Sequence, residues 1–293
     1  MRIGFAILHY NVVAETEKCV ASILERIDSD DFEIVVVDNC SPNKSGAQVK
    51  RLFEGKEHVS VILNEENLGF ARGNNVGFRF LKYEKKCDFI VVMNNDTYLI
   101  QDDFFKVIQE EYAHSHFAVL GPEIHCPGGI NPNPVKNKLM TVAELERKRI
   151  RWRRRRLKNI LHLGFLDTWY SFIADRLGPG PNHHRPANDK RQENVELHGC
   201  CFVFSPEFIN RYDGLNSGTF MYQEEDILYA EMLRDNMLMV YNPALKIYHM
   251  EKASTNSVCS GSRKKKIFIY TNYLASSEVL LGVLKDIEKK SKS

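Results

Sequence analysis

Four apolar runs early in the chain, Ile3–Leu8, Phe32–Val37, Val59–Leu63 and Phe89–Met93, each give way at once to a polar cluster. The clusters are His9-Tyr10-Asn11, Asp38-Asn39-Cys40-Ser41, Asn64 to Asn75, and Asn94-Asn95-Asp96. Short runs with no polar alternation read as strands buried on both faces, the habit of parallel sheets. Helical patterns at Ala14–Ile27, Ala71–Tyr83 and Asp102–Ala113 separate them, and Phe117–Leu120 reads as a further strand. Such alternation predicts an α/β fold with a mostly parallel sheet between helices. A turn would account for any one cluster, since Asn and Asp are ordinary turn residues. In a parallel sheet, however, all of them meet at the carboxyl edge, where open α/β sheets hold ligands. One shared pocket is the better account of the coincidence.

Asp96 is the most telling member, because it follows the apolar run Phe89–Met93 directly. A carboxylate at that edge, flanked by amides, suits a hard divalent cation carrying phosphate oxygens, Mg²⁺ or Mn²⁺. Other nucleotide sites, the sugar nucleotidyltransferase alternative among them, are disfavoured by motif. Gly69, Gly73 and Gly77 do not make the dinucleotide fingerprint GxGxxG, and there is no P-loop. A sugar nucleotidyltransferase would need a Gly-rich basic loop after the first strand, and His9-Tyr-Asn-Val-Val13 offers none.

At 293 residues the chain can hold one large domain with elaborations, or two smaller ones. Its seven scattered cysteines include no CxxC pair, which argues for reduced thiols in a cytosolic setting. The N-terminus reads as a strand and not as a signal peptide, and no run approaches the ~20 apolar residues of a membrane span. The expectation is a soluble or surface-bound protein.

The formal net charge of +2 hides an asymmetry. Residues 147–158 hold nine bases and no acid, so the rest of the chain carries 31 bases against 38 acids, or −7. The stretch from Pro134 to Gly178 reads as one long helix or a helical hairpin, with a capping box at Thr141 and Glu144. Leu157, Ile160, Leu161, Phe165, Trp169, Phe172 and Ile173 make its second half amphipathic. Such a segment, 147–173, suits an anionic membrane surface better than nucleic acid, which is not expected as a partner; a solvated helix face is the plainer alternative. Residues 178–194 read as a loop, and its His183-His184 carries no assigned role.

Strand character returns over Glu196–Phe204, Ser205-Pro206-Glu207 opens a helix, and another helix fits Glu225–Arg234. Short strands are expected at Leu238–Tyr241 and Leu245–Tyr248, then a helix from Arg263, with Lys285–Ser293 as a frayed tail.

Taken in order, Ile7-Leu-His-Tyr-Asn11, Val35-Val-Val-Asp-Asn39, Asn64-Glu-Glu-Asn-Leu-Gly-Phe-Ala-Arg-Gly-Asn-Asn75 and Met93-Asn-Asn-Asp-Thr97 resemble the successive signatures of family 2 glycosyltransferases. The likeness is to the bacterial rhamnosyltransferase-like members, which have the GT-A fold. Phe220-Met-Tyr-Gln-Glu-Glu-Asp226 with Leu233-Arg234 resembles the family's acidic acceptor-side motif, and Asn242-Pro-Ala-Leu-Lys-Ile-Tyr-His249 its closing segment. The resemblance covers about residues 1–125 and 196–256, and it implies four regions. These are a nucleotide-sugar half at 1–125, a basic helical insertion and loop at 126–195, an acceptor and catalytic half at 196–256, and a C-terminal helix and tail at 257–293.

The implied reaction is inverting transfer of a hexosyl or rhamnosyl group from a UDP- or TDP-sugar to a glycan or lipid-linked acceptor. The setting would be the cytoplasmic face of a bacterial membrane, and an oligomer is compatible with it. Asp38 would accept from the base N3–H, with His9, Tyr10 and Asn11 lining the same base. Asn67, Gly69, Arg72, Asn75, Asn94 and Asn95 would contact the donor, Arg72 through its diphosphate at a helix start. Asp96 and His249 would hold the cation, although Asn94 stands where relatives often have a first acid. Asp226 is the expected base, Glu225 its substitute, and Glu224 an acceptor contact. His198-Gly199-Cys200-Cys201 would pack beneath the acceptor. A catalytically silent binding or scaffold protein with the same fold is the non-enzymatic alternative.

Overall fold

The computed structural model describes residues 1–163, 188–250 and 262–290. Strands β1 (Ile3–His9), β2 (Phe32–Asp38), β3 (Val59–Leu63) and β4 (Phe89–Asn94) run parallel. Beyond β4 the sheet turns mixed, with β5 (Thr97–Leu99), β6 (Val119–His125), β7 (Gln192–Glu193), β8 (Cys201–Phe204) and β9 (Met239–His249). The spatial order is β3-β2-β1-β4-β8-β6-β9-β5, with β7 paired to β9. The register sets Leu8 opposite Asn94, His9 opposite Asp38, and Asp38 opposite Leu63. The polar strand ends therefore share one edge, as their sequence predicts.

Both faces of the sheet are covered, which is why its central strands carry no polar alternation. On one face Phe5, Ile7, Ile34, Val36, Val91 and Met93 are buried under α1 (Val13–Arg26), α2 (Ser45–Leu52) and α4 (Phe104–Ser115). On the other, Ala6, Val35, Val37, Ile90 and Val92 meet α3 (Phe70–Arg79), α6 (Pro206–Ile209) and α7 (Glu224–Arg234). A third cluster joins α5 (Val142–Ile160) and α7 to the C-terminal helix α8 (Ser262–Lys290), through Leu145, Ile227, Ala230, Leu280 and Leu284.

Several boundaries depart from expectation. Helix α2 and strand β5 went unforeseen, being short and weakly patterned: α2 buries Val49 as its one sizeable apolar side chain. The strand expected at Phe117–Leu120 lies at Val119–His125, and that expected over Glu196–Phe204 contracts to Cys201–Phe204, with Glu196 in an isolated bridge to Lys136. The two strands expected between Leu238 and Tyr248 form one, β9, with its register shifted opposite Pro122 and Glu123, a bulge-like irregularity. Helix α8 runs on to Lys290, through most of the expected frayed tail. Its stretch Arg263–Lys290 is also long and apolar enough, by length and composition, to cross a membrane, which corrects the expectation of no such segment. The amphipathic residues Phe165–Ile173, the loop portion 178–187 and His183-His184 lie outside the described residues.

One buried side chain ties α3 to a segment 140 residues further along the chain. The Asn75 amide donates to the Leu215 carbonyl at 2.7 Å and accepts from the Leu215 N–H at 2.8 Å. Asn75 is 2% exposed and outside the pocket wall, so the donor contact expected of it is corrected to a structural clamp. Asn75→Ala leaves a buried N–H and C=O without partners and is expected to cost about 2–4 kcal/mol in urea unfolding.

Candidate active site

A cavity of about 610 Å³ opens at the carboxyl edge of the sheet. Tyr10, Asn39, Asn67 and Gly69 line one end, Asn94, Asn95, Asp96 and His249 the centre, and Glu224, Glu225 and Asp226 the other end. Of the residues expected in the site, these therefore come together, except that Asn39 had been given no role.

The central group follows from strand pairing. Antiparallel pairing of β5 with β9 sets Thr97 opposite His249, and the Met250 N–H donates to the Asp96 carbonyl at 3.0 Å. His249 Nε2 thus lies 3.3 Å from Asp96 Oδ1, with both side chains buried. On the other flank β8 pairs with β4, and the Asn94 N–H donates to the Cys200 carbonyl at 2.9 Å. That places His198 and Cys200 beside His249, their ligand atoms all within 4.8 Å of one another. His198 is positioned by its backbone N–H on Asn133 Oδ1 at 3.0 Å and by the Cys200 N–H donating to its Nδ1 at 3.2 Å. Burial, reinforced by His249, pushes its pKa down to about 4, so the ring is neutral at physiological pH.

These donors fit a divalent metal. His249 Nδ1 is buried with no hydrogen-bond partner among the described residues, and a carboxylate with imidazoles suits Mn²⁺. The position of His198 was missed in the sequence, where His198-Gly199-Cys200 read as packing; only the β4–β8 pairing brings it to Asp96.

The expected base-binding end is more indirect. His9 is fully buried, with Nδ1 2.6 Å from Thr16 Oγ1 and Nε2 2.9 Å from Ser45 Oγ. Burial lowers its pKa, with Asp38 opposing, and it supports the pocket floor without reaching the cavity. Asp38 accepts from the Ser41 hydroxyl at 2.5 Å, and Ser41 Oγ accepts in turn from the Asn11 N–H at 2.9 Å. Asp38 and Asn11 thus build the turn behind Tyr10 and do not line the cavity. Arg72 is exposed, donates to the Leu68 carbonyl at 3.1 Å and also lies outside the wall; the basic residue found there is Lys265.

Asn39 organises what remains, donating to Asn67 Oδ1 at 2.9 Å and the Gly69 carbonyl at 3.0 Å, and accepting from the Leu68 N–H at 3.0 Å. Gly69 has φ of 78° and ψ of −171°, and a Cβ there would lie 2.1 Å from the Phe220 carbonyl oxygen. No other residue fits that approach.

The acidic end sits on the first turn of α7, where a helix N-terminus favours anions. The two residues before it, Tyr222 and Gln223, both have left-handed φ, 73° and 68°. Glu224 accepts from Thr219 Oγ1 at 3.1 Å, and burial raises its pKa to about 7. Glu225 Oε1 accepts from the Gly199 N–H at 2.8 Å, and burial raises its pKa also. Asp226 is engaged otherwise, in a short ion pair with Lys136, whose Nζ also lies 2.7 Å from Glu196.

The family profile "Glycosyl transferase family 2" matches residues 5–211, well over half of the chain. The chain belongs to this family. Its architecture, a mostly parallel sheet between helices, is the GT-A fold. This family 2 chain is 23% identical over 223 residues to the low-salt glycan biosynthesis hexosyltransferase Agl10 of Haloferax volcanii, covering 76% of the chain and 60% of the relative. It is 31% identical over 100 residues to an uncharacterized glycosyltransferase of Haemophilus influenzae, covering 34% of the chain and 31% of that relative. The chain thus spans less than two thirds of both curated relatives. Among solved structures, S. aureus TarS 1-349 in complex with UDP-GlcNAc aligns at TM-score 0.55 and 13% identity, covering 99% of this chain and 73% of that one. The mannosyltransferase PcManGT of Pyrobaculum calidifontis, in complex with GDP-Man and Mn²⁺, aligns at 0.53 and 13%, covering 99% and 74%.

The raised pKa of Glu224 makes this family 2 site costly to fold. Its carboxyl ionises near pH 4.5 when unfolded but near 7 when folded, so stability is full below pH 4.5 and declines as pH rises through 7. Glu224→Gln is expected to raise stability at pH 8 by about 3 kcal/mol, the gap closing toward pH 4.5, in urea titrations across pH.

Proposed function

We propose that the protein is an inverting glycosyltransferase that moves a sugar from a uridine or thymidine diphosphate donor to an acceptor hydroxyl. The observation that carries this reading is the pair of short links through the His198–Cys200 segment. The Asn94 N–H on Cys200 binds that segment to Asp96 and His249, and the Gly199 N–H holds Glu225. Donors that suit a cation and a carboxylate with raised pKa are thereby brought to one cavity, which supports the reading.

The nucleoside end lies along Tyr10, Asn39 and Asn67, and the diphosphate end at Asn94, Asn95 and Asp96. Asp96 and His249 are the residues that would hold a divalent cation, with His198 as third donor in place of the acid that Asn94 lacks. A bound Mn²⁺ or Mg²⁺ would neutralise the charge building on the leaving diphosphate. The reading accords with what related folds carry, UDP-GlcNAc in TarS and GDP-Man with Mn²⁺ in PcManGT.

Glu225 takes the role of base in place of Asp226. Asp226 is engaged by Lys136, whereas Glu225 is held by a backbone N–H and burial raises its pKa, which makes its carboxylate the stronger proton acceptor. The acceptor oxygen attacks the anomeric carbon as its proton passes to Glu225. The bond from that carbon to the diphosphate oxygen breaks on the opposite face, and nucleoside diphosphate departs with the bonding pair. Inversion follows from attack opposite the leaving group. Glu224 supports the same wall through Thr219.

Two measurements test this. Glu225→Gln is expected to lower kcat by about 10²–10⁴ with nucleotide binding by calorimetry unchanged, and Asp226→Asn by only about tenfold. The reverse ranking would return the base role to Asp226; full nucleotide binding without turnover in the wild type would identify the silent scaffold instead. His249→Ala is expected to weaken Mn²⁺ at least about tenfold in an electron paramagnetic resonance titration made without donor.

A further inference from the structure

A second cavity, of about 480 Å³, opens beside the catalytic acids. Lys148, Arg151, Trp152 and Arg155 of α5 line it, together with Tyr270 and Tyr273 of α8. Gln223, Asp226 and Tyr273 line both cavities, so the two adjoin.

Position in the helix separates these bases from their neighbours. Lys148, Arg151 and Arg155 are spaced three and four residues apart and therefore share one face of α5. The buried Arg149 pairs with Glu146 and Glu278, and Arg156 donates to Thr271 at 2.8 Å. Lys148, Arg151 and Arg155 are exposed, and their side chains form no ion pair or hydrogen bond among the described residues. Exposed Ile150 and Leu157 fall on a different face, so the apolar stripe suited to a lipid surface does not include the cavity.

Two further features point to a ligand. Trp152 stacks on Tyr273 with centroids 4.9 Å apart and planes at 14°, and Tyr273 stacks on Tyr222 at 4.9 Å and 25°. This aromatic ladder runs from the bases to the turn before α7. At its end Gln223 is 5% exposed, held by its Nε2 on the Tyr273 carbonyl at 2.8 Å. Its Oε1 is buried with no hydrogen-bond partner among the described residues. A buried acceptor at the mouth of two cavities calls for a donor from a ligand, such as a hydroxyl.

We propose that this cavity is an acceptor subsite for a phosphate group: the acceptor is a sugar or polyol bearing a phosphate ester or diphosphate. Its anion sits among Lys148, Arg151 and Arg155, where guanidinium forks match phosphate oxygens. Its carbon skeleton lies along Trp152 and Tyr273, and one hydroxyl donates to Gln223 Oε1 as another faces Glu225. The cavity suits one phosphorylated sugar and is too small for a nucleic acid strand. This inference rests on the transferase reading for its direction, because the subsite adjoins the cavity that the assigned base lines.

The test uses the full chain in two stages. Calorimetry with UDP, TDP and GDP in Mn²⁺ first establishes nucleotide binding, and its failure would count against the donor reading alone. Glucose 6-phosphate and glucose are then titrated into protein saturated with the bound nucleotide, so that the diphosphate station is filled. Glucose 6-phosphate is expected to bind at least tenfold more tightly than glucose. The combined variant Lys148→Gln, Arg151→Gln, Arg155→Gln should lose that preference at unchanged Tm, and Arg151→Lys with Arg155→Lys should retain part of it, the charge remaining without the fork. Equal binding of glucose 6-phosphate to wild type and the Gln variant would overturn the proposal. So would a Gln variant that keeps glucose 6-phosphate binding but no longer floats with phosphatidylglycerol vesicles, since the bases would then serve a lipid surface.

Discussion

Everything in the candidate site depends on the parallel register of β2, β1 and β4. Side chains at strand ends are turned toward a common edge only if neighbouring strands finish together. Here they do, with His9 level with Asp38 and Leu8 level with Asn94. A slip of one residue would send alternate side chains to the opposite face and bury polar groups in the helix layers. The apolar pattern of the strands, sealed on both sides, is what excludes that slip. The chemistry at the edge is thus secured by packing several residues away from it.

The central strands and most helices were legible in the sequence because each buries a large, contiguous apolar set. Short elements were not: α2 and β5 draw their stability from the helices and strands already in place around them. The candidate site divides along the same line. Asp96 and the acids of α7 lie at the ends of elements legible in the sequence, and the structure brings them to one cavity. The separation of His9, Asp38, Asn11 and Asn75 from the cavity wall was not visible, since strand-end residues alternate between facing the pocket and supporting it. His198 could not have been found by local reading at all. It reaches Asp96 through an antiparallel pairing between residues more than a hundred positions apart.

Burial organises the electrostatics of the pocket. Glu224 and Glu225 are raised by desolvation, while Asp226 is ion-paired with Lys136. Three consecutive acids on one helical turn would repel one another if all faced the same medium. The fold separates their roles by giving them different surroundings: a hydroxyl, a backbone amide and an ammonium. The left-handed turn at Tyr222 and Gln223 sets that arrangement, and such conformations persist where surrounding structure holds them.

Gln223 joins α7 to α8 by a single side-chain bond to a backbone carbonyl. A wall shared by the two cavities is therefore borrowed from a helix outside the sheet. Such a division lets lineages diverge unevenly. Under the proposed function, changes in α5 and α8 would explore new acceptors while the strand ends stay constrained by an unchanged donor, so related chains would exchange what they build without altering what they consume.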